Sequence, residues 1–359
     1  MSNEEIRVLA PGRICLFGEH QDYLRLPVIA AAISLYIEIV AERTDDQKLI
    51  INLPDTNQLE TIELNNKEVS YVYTRDYLRS AYNLFIRKGY RLRQGYNCQI
   101  HGTIPINAGL SSSSALIIAW ITFLSYIFEA NFSPYYIGEL GYQAEVDEFR
   151  EAGGMMDHFT SALGGLLYIN TKALYDCKRL EANLEGIVVG DSLERKNTVE
   201  DLARVKELVQ IGVSHLRKMI PNFDLKKTPF RDVEPLLSSL PSATAKKVQA
   251  NIINRNLTKQ AKNLLSSSNF SPEALGVLLN AHHEQLARNL EVSTSKIEKL
   301  IKAARNAGAL GCKINGSGFG GCMFAYAPDD PEKVAGAIEE AGGKAYIVSI
   351  SEGCKLISS

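Results

Sequence analysis

No apolar run in this chain reaches the 18 or more residues a membrane-spanning helix needs, so no such span is expected. The opening residues, Met1-Ser2-Asn3-Glu4-Glu5, carry no signal-peptide pattern, and the expectation is a cytoplasmic protein. Charge of one sign is also missing. Thirty-nine basic side chains meet 41 acidic ones, a formal net charge of −2. That balance offers nothing to attract nucleic acid or an anionic membrane, and neither is expected as a partner. The six cysteines, Cys15, Cys98, Cys177, Cys312, Cys322 and Cys354, never form C-x-x-C. Scattered in this way they read as reduced, mostly buried thiols, neither a disulfide framework nor a zinc site. H-E-x-x-H is absent, and the only adjacent histidines, His282-His283, have no acid or cysteine at ligand spacing, so packing or surface positions are expected for them. There is no internal repeat and no low-complexity segment.

A chain of 359 residues with 45% apolar residues is too long for one ordinary core, and two domains are expected. The most informative stretch runs from Pro105 through Ile106, Asn107, Ala108, Gly109 and Leu110 to the serines Ser111, Ser112, Ser113 and Ser114, and then Ala115. A strand, Tyr96 to Gly102, leads in, and an apolar helix to about Phe128 leads out. Gly109 allows backbone geometry closed to other residues. The hydroxyls stand at a helix start, where backbone N–H groups have no partner within the helix. Those groups and the positive end of the helix dipole make an anion site able to take a phosphate chain, with a serine oxygen left for a metal ion. The other reading is a serine N-cap with its neighbours. The loop lacks the Gly-Lys-Ser/Thr ending of a Walker A motif.

Before it, Ile6 to Ala10 reads as a strand, Pro11-Gly12 as a turn, and Arg13 to Phe17 as a second extended run. Gly18-Glu19-His20-Gln21-Asp22-Tyr23 follows, and then an alternating strand, Val28 to Val40. Glu19, His20 and Asp22 form either a polar turn or a set of hydrogen-bonding groups for a polyhydroxylated ligand, with Arg13 serving a phosphoryl group. Tyr71 to Arg93 reads as helix, Ser133-Pro134 as a helix start, and Ile137 to Glu151 as a helix carrying Glu145. Ala152-Gly153-Gly154-Met155-Met156-Asp157-His158 lets the backbone approach something closely and then presents an acid, which could equally be an N-cap. Leu163 to Ile169 is a glycine turn into a strand.

A domain boundary is expected near residue 185, after which Gly186 to Asp191 is a short strand. Val199 to Lys218, Ala245 to Leu265, Pro272 to Asn289 and Ser295 to Ala307 read as helices, with a proline-broken stretch over 222–244. Gly311 to Tyr326 holds Gly316-Ser317-Gly318-Phe319-Gly320-Gly321 between two strands and opens no helix, so it is no dinucleotide fingerprint. It is either a bulged hairpin or a backbone loop packed against the phosphate site. A helix, Pro331 to Ala341, and a strand, Ala345 to Ile350, complete an α+β domain.

Three glycine-containing motifs in this order resemble the GHMP small-molecule kinases, the superfamily of galactokinase, homoserine kinase, mevalonate kinase and phosphomevalonate kinase. The similarity covers nearly the whole chain. Pro11-Gly12-Arg13 with Gly18-Glu19-His20-Gln21-Asp22-Tyr23 looks like the galactokinase signature, and Gly154-Met155-Met156-Asp157 resembles its G-I-M-D. Mevalonate kinases share Gly-Glu-His but usually have Lys in place of Arg13 and lack Asp-Tyr. Ala281 to Leu286 with Gly316 to Gly321 matches the shared C-terminal pattern. The resemblance implies a two-lobed α+β fold, ribosomal-protein-S5-like over 1–185 and ferredoxin-like over 186–359. It implies ATP on Gly109, Leu110, Ser111, Ser112, Ser113 and Ser114, and Mg²⁺ on Ser113 and Glu145. By the same resemblance the sugar would lie against Glu19, His20, Asp22 and Gly154, with Asp157 as base or electrostatic orienter and Arg13 on the transferring phosphoryl group. The activity implied is ATP-dependent phosphorylation of the C1 hydroxyl of galactose or a close relative, by a monomer or weak dimer.

The pattern is also broken in places. Galactokinases usually continue Asp-Tyr with Asn-Gly-Gly, where this chain has Leu24-Arg25-Leu26; they usually have Gln where His158 stands. They usually carry a Tyr early in the second domain, and Glu194 to Glu207 has none. Arg25 could pair with an acidic sugar such as a uronate. Galacturonate, an amino sugar or mevalonate are therefore alternative acceptors, and a non-catalytic galactokinase-like sugar sensor is the alternative to an enzyme.

Overall fold

A computed structural model describes residues 5–151, 153–171, 176–194 and 198–358, so Ala152 of the glycine motif lies outside the described residues. The first lobe is built on strands β1 (Glu5–Phe17), β2 (Val28–Thr44), β3 (Lys48–Leu53), β4 (Gln58–Glu63), β5 (Gly95–Gly102), β6 (Leu166–Asn170) and β7 (Asp176–Arg179). Helices α1 (Tyr77–Arg87), α2 (Ser112–Ile127), α3 (Pro134–Tyr142) and α4 (Met156–Leu163) accompany them. The second lobe runs β8 (Ile187–Asp191), α5 (Thr198–Met219), α6 (Phe230–Val233), α7 (Ser242–Leu265), α8 (Pro272–Glu284), α9 (Ser295–Asn306), β9 (Gly311–Ile314), β10 (Cys322–Tyr326), α10 (Pro331–Glu340) and β11 (Lys344–Val348). A last strand, β12 (Lys355–Ser358), returns to the first sheet.

The order of the large sheet is β12-β1-β2-β5-β3-β4, with β6 and β7 branching from β2. The small sheet has the order β11-β8-β10-β9, antiparallel throughout. Numbered within its own lobe this is 4-1-3-2 with helices between the first and second strands and between the third and fourth, the ferredoxin-like arrangement. The α+β fold expected from the sequence is present.

Helix α2 sits at the centre because it is apolar on every side, and such a helix is stable only when surrounded. Ile117, Ile118, Trp120, Ile121, Phe123 and Leu124 are all fully buried. The Trp120 indole N–H donates to the Leu78 carbonyl at 3.0 Å.

Three expectations differ from the structure. Pro11-Gly12 is no turn: β1 runs through it with a register shift at Pro11/Gly12. A bulge bends the strand without ending it, and proline tolerates such a site because it has no N–H to pair. Helix α1 starts at Tyr77, six residues later than expected, because the Asp76 carboxylate accepts from Arg79 N and caps it there. The helix expected to run from Ile137 through Glu151 ends at Tyr142 and gives way to a π turn over Gln143–Asp147.

Replacing Trp120 by alanine should destabilise the protein by about 3–5 kcal/mol, since it opens a large void and strands the Leu78 carbonyl. Equilibrium unfolding in urea measures this, and a loss under about 1 kcal/mol would contradict the central place given to α2.

Candidate active site

The bulge in β1 presses its backbone onto the serine loop. Arg13 N donates to the Leu110 carbonyl at 3.1 Å. A Cβ added at Gly12 would sit 2.9 Å from that same oxygen, so glycine is the residue that lets strand and loop touch. The loop enters α2 through left-handed backbone at Asn107 (φ 58°), Gly109 (φ 85°) and Ser111 (φ 62°). Ser111 is the N-cap residue, yet its side chain caps nothing. Its hydroxyl donates instead to Asp157 Oδ2.

Asp157 stands in the first turn of α4 and is not the N-cap, which is Met155. The Arg13 guanidinium grips it from two nitrogens, Nε to Oδ1 and Nη2 to Oδ2, both at 2.7 Å, and its Nη1 donates to the Gly109 carbonyl at 2.6 Å. Burial works against the Asp157 charge, but the Arg13 charge, its two bonds and the Ser111 hydroxyl outweigh that and hold the carboxyl below its ordinary pKa. A carboxylate held this way is a weak proton acceptor and a fixed negative charge.

Glu145 projects from the π turn, a geometry common at functional sites. Its Oε2 accepts from the Ser114 hydroxyl at 2.8 Å and lies 2.7 Å from His158 Nε2. Burial raises its pKa, and bonds from His158, Ser113 and Ser114 more than offset this, so it too stays charged. Ser113 and Glu145, the pair expected to hold a metal ion, are thus neighbours.

Toward Gly154, Asp22 is pushed up to about 6, first by burial and then by the Asp157 charge. A Cβ on Gly154 would fall 2.1 Å from Asp22 Oδ2, so what the backbone at Gly154 approaches is this carboxylate. His20, itself left-handed (φ 61°), is held by Tyr23 Oη and the Ser317 carbonyl, each at 2.9 Å. Glu19 is 2% exposed, and the ammonium of the fully buried Lys313 donates to its Oε1. Lys313 also donates to the carbonyls of Cys15 and Ile314, each at 2.9 Å. Glu19 Oε2 has no hydrogen-bond partner and lies 3.7 Å from His282 Nδ1. His282 and His283 are buried packing residues: Gly18 N donates to the first at 3.4 Å, and Glu298 Oε1 takes the second at 2.9 Å. The cysteines are all free thiols.

The glycine-rich loop after β9 lies against the serine loop. A Cβ at Gly316 would be 2.8 Å from the Gly109 carbonyl, and Asn315 Nδ2 donates to that oxygen at 2.8 Å. One cavity of 410 Å³ collects the serines, Arg13, Glu145, Asp157, Glu19, His20, Asp22, Gly109 and Gly154, with Gly316 and Ser317 as its other wall. Leu110 does not line it; its carbonyl serves Arg13.

Sequence reasoning missed Lys313, Asn315 and the His158–Glu145 contact. Lys313 had one visible signal, a charge inside the apolar strand Cys312-Lys313-Ile314. The odd segment Leu24-Arg25-Leu26 has a packing reason. Leu26 is fully buried among Val209, Leu216, Val248 and Ile252 of α5 and α7, while Arg25 is exposed and does not line the cavity. Helix α5 lends the cavity Leu202, and Lys206 Nζ lies 5.6 Å from the Tyr23 ring centre.

A glycine-and-serine loop opening a helix, carboxylates in one cleft and a ferredoxin-like second lobe are the parts expected of a small-molecule kinase. The chain matches the GHMP kinases N terminal domain over residues 76–165, the GHMP kinases C terminal over 261–344 and the galactokinase galactose-binding signature over 2–43. It is 32% identical to the mevalonate kinase of Pyrococcus furiosus over 356 residues, covering 97% of each chain. It is 27% identical to the galactokinase of Enterococcus faecalis over 350 residues, 94% of this chain and 88% of that one. Its fold matches the crystal structure of Lactococcus lactis galactokinase complexed with galactose, with a TM-score of 0.85, 23% identity and coverage of 98% and 95%. This chain belongs to the GHMP kinase family, whose members use ATP. Among the described residues no helix is long and apolar enough to cross a membrane.

Two outcomes follow from the site's electrostatics. If Asp22 must be charged to take acceptor hydroxyls, kcat/KM for the acceptor should fall about tenfold per pH unit below about 6, because a raised carboxyl gains its proton there. Asp22→Asn should lack that limb; a wild-type profile flat from pH 7 to 5 would rule the role out. Lys313→Met should cost about 3–5 kcal/mol by denaturant unfolding, as it leaves Glu19 charged and buried. Adding Glu19→Gln should recover part of that loss.

Proposed function

We propose that this kinase transfers the γ-phosphoryl group of ATP to the C1 hydroxyl of galactose or a closely related neutral sugar. The observation that carries the reading is the pair of carboxylates at the acceptor end. Asp22 already has its pKa raised by burial and by Asp157. A carboxylate-bearing acceptor would add a third negative charge to that space, whereas sugar hydroxyls donate to both acids. The galactose-binding signature over residues 2–43 covers Asp22 and supports the same choice.

In this reading the phosphates lie along Gly109, Leu110 and Ser111 to Ser114, at the start of α2. Among the described residues no group of three or more His, Cys, Asp or Glu gathers that could hold an ion. One buried carboxylate, Glu145, beside the Ser113 hydroxyl is the sparse oxygen set that suits Mg²⁺ shared with phosphate and water. When bound, the ion neutralises phosphate charge. His20, Asp22 and the backbone at Gly154 orient the sugar; Glu19 lines the same wall with its carboxylate engaged by Lys313. Asp157 accepts the hydrogen bond of the reacting hydroxyl and aims its oxygen, acting as an orienter because Arg13 keeps its basicity low. Arg13 faces the transferring group. The hydroxyl oxygen bonds to the γ-phosphorus as the bond to the bridging oxygen of ADP breaks, and the hydroxyl proton passes to water, directly or by way of a phosphoryl oxygen. We place the lobe division near residue 185, with the final strand returning to the first lobe.

Mevalonate is the second reading. The 32% identity to a Pyrococcus furiosus enzyme of that name favours it, and Lys206 near Tyr23 would supply a cation. ADP release with Mg²⁺-ATP should be measured for galactose, 2-deoxygalactose, galactosamine, N-acetylgalactosamine, galacturonate, arabinose, glucose, mannose and mevalonate. Turnover of galactose or another neutral sugar is expected; turnover of mevalonate alone would overturn the sugar assignment. ATP and sugar binding with no turnover on any of them would point to a sensor. Asp157→Ala should keep acceptor binding measurable while losing at least about 10²-fold in kcat, the cost of a misaimed reacting hydroxyl. A near-wild-type rate would remove Asp157 from the reaction.

A further inference from the structure

We infer that His158 is a positioning residue that locks the Glu145 carboxylate in the orientation needed to share a divalent cation with nucleotide phosphate. The inference rests on the reading that the serine loop and Glu145 carry the metal–nucleotide.

His158 is 2% exposed, and its Nε2 lies 2.7 Å from Glu145 Oε2. A carboxylate only accepts, so Nε2 carries the hydrogen and donates. In the neutral ring Nδ1 is then the bare nitrogen, and it is buried with no hydrogen-bond partner. A ring retained for packing alone would have no reason to bury an unmatched nitrogen, which an apolar side chain of similar size avoids. The protein also makes room for it. At Gly141 an added Cβ would sit 2.7 Å from Ile118 Cδ1 and 3.1 Å from His158 Cδ2, so glycine there leaves space for both side chains, and the Tyr142 ring meets the imidazole edge-on at 6.0 Å.

Glu145 needs outside support because it stands on a π turn, where the regular helix ladder is interrupted. Its Oε2 takes both the Ser114 hydroxyl, at 2.8 Å, and the His158 ring. Rotation of the carboxylate about its last bond would cost both contacts together. Asp157 and His158 are consecutive on α4, so they point roughly 100° apart around the helix. The first meets Arg13 and Ser111; the second meets Glu145. One short helix therefore sets both carboxylates. Partners of this kind, behind a metal ligand, typically contribute 10- to 100-fold in metal affinity.

The test is calorimetric binding of a non-hydrolysable ATP analogue across a Mg²⁺ titration, with Mn²⁺ binding followed by electron paramagnetic resonance. His158→Leu should raise the Mg²⁺ concentration at half effect by about tenfold or more while leaving metal-free nucleotide affinity unchanged. His158→Gln, long enough to donate to Glu145, should restore the midpoint to within about threefold; His158→Asn, too short to reach, should not. A folded His158→Leu protein that titrates like wild type overturns the inference. Should His158→Leu fail to fold, equal midpoints for the Gln and Asn variants overturn it. Wild-type nucleotide binding indifferent to Mg²⁺ would instead remove the metal–nucleotide reading and the inference with it.

Discussion

The Arg13 guanidinium joins three segments that the sequence keeps far apart. It holds Asp157, 144 positions away, through two nitrogens, and the serine loop, 96 positions away, through the Gly109 carbonyl. Without that cation Asp157 would be a half-buried carboxylate with one hydroxyl for company, and its partial burial would push it toward the neutral acid. With it, the carboxylate stays charged and stationary. The bulge at Pro11/Gly12 matters for the same reason, since it lets the Arg13 backbone lie on the loop that its side chain also grips.

The Gly109 carbonyl is itself a meeting point. Arg13 reaches it from the first lobe, and Asn315 reaches it from the second. Cys322 N donates to the neighbouring Ala108 carbonyl at 2.7 Å, and Asn315 also accepts from Cys15 N at 2.8 Å. The loop we assign to phosphate is therefore braced from both lobes through its own backbone carbonyls. Such bracing suits phosphoryl transfer, where fixed geometry supplies most of what the protein contributes.

Much of this was legible because glycine, proline and serine record backbone requirements locally. Gly109 marked backbone geometry closed to other residues and the serine run a helix start, and left-handed backbone at Gly109 does lead into α2; of the two readings of Gly316 to Gly321, a bulged hairpin or a close approach, the structure has Gly316 against the Gly109 carbonyl. Elements were missed where a single side chain outweighed a broad pattern. Helical periodicity extended back to Tyr71, but the Asp76 cap ends the helix at Tyr77. Pro11-Gly12 has the composition of a turn, and only pairing with β2 makes it a bulge. Contacts between remote charges were hidden for another reason: Lys313 stood out as a charge in an apolar strand, but its partner Glu19 is 294 positions away and no spacing rule reaches that far. The acceptor was the least legible part, because Leu26 was chosen by packing against α5 and α7 and carries no message about the ligand.

The return of the chain to the first sheet has a mechanical consequence. The backbone crosses between lobes twice, once between Arg179 and Ile187 and again between Val348 and Lys355. The second crossing is stitched down: Ser351 N donates to the Ala32 carbonyl at 2.9 Å, Gly165 N to the Ser351 carbonyl at 2.7 Å, and β12 adds a ladder on β1. One buried core also runs across both lobes, in which Val189, Leu279 and Phe324 of the second join Ile14, Ile33 and Ile118 of the first. Pulling the lobes apart would therefore expose that shared core to water as well as peel an edge strand from the sheet that carries Arg13.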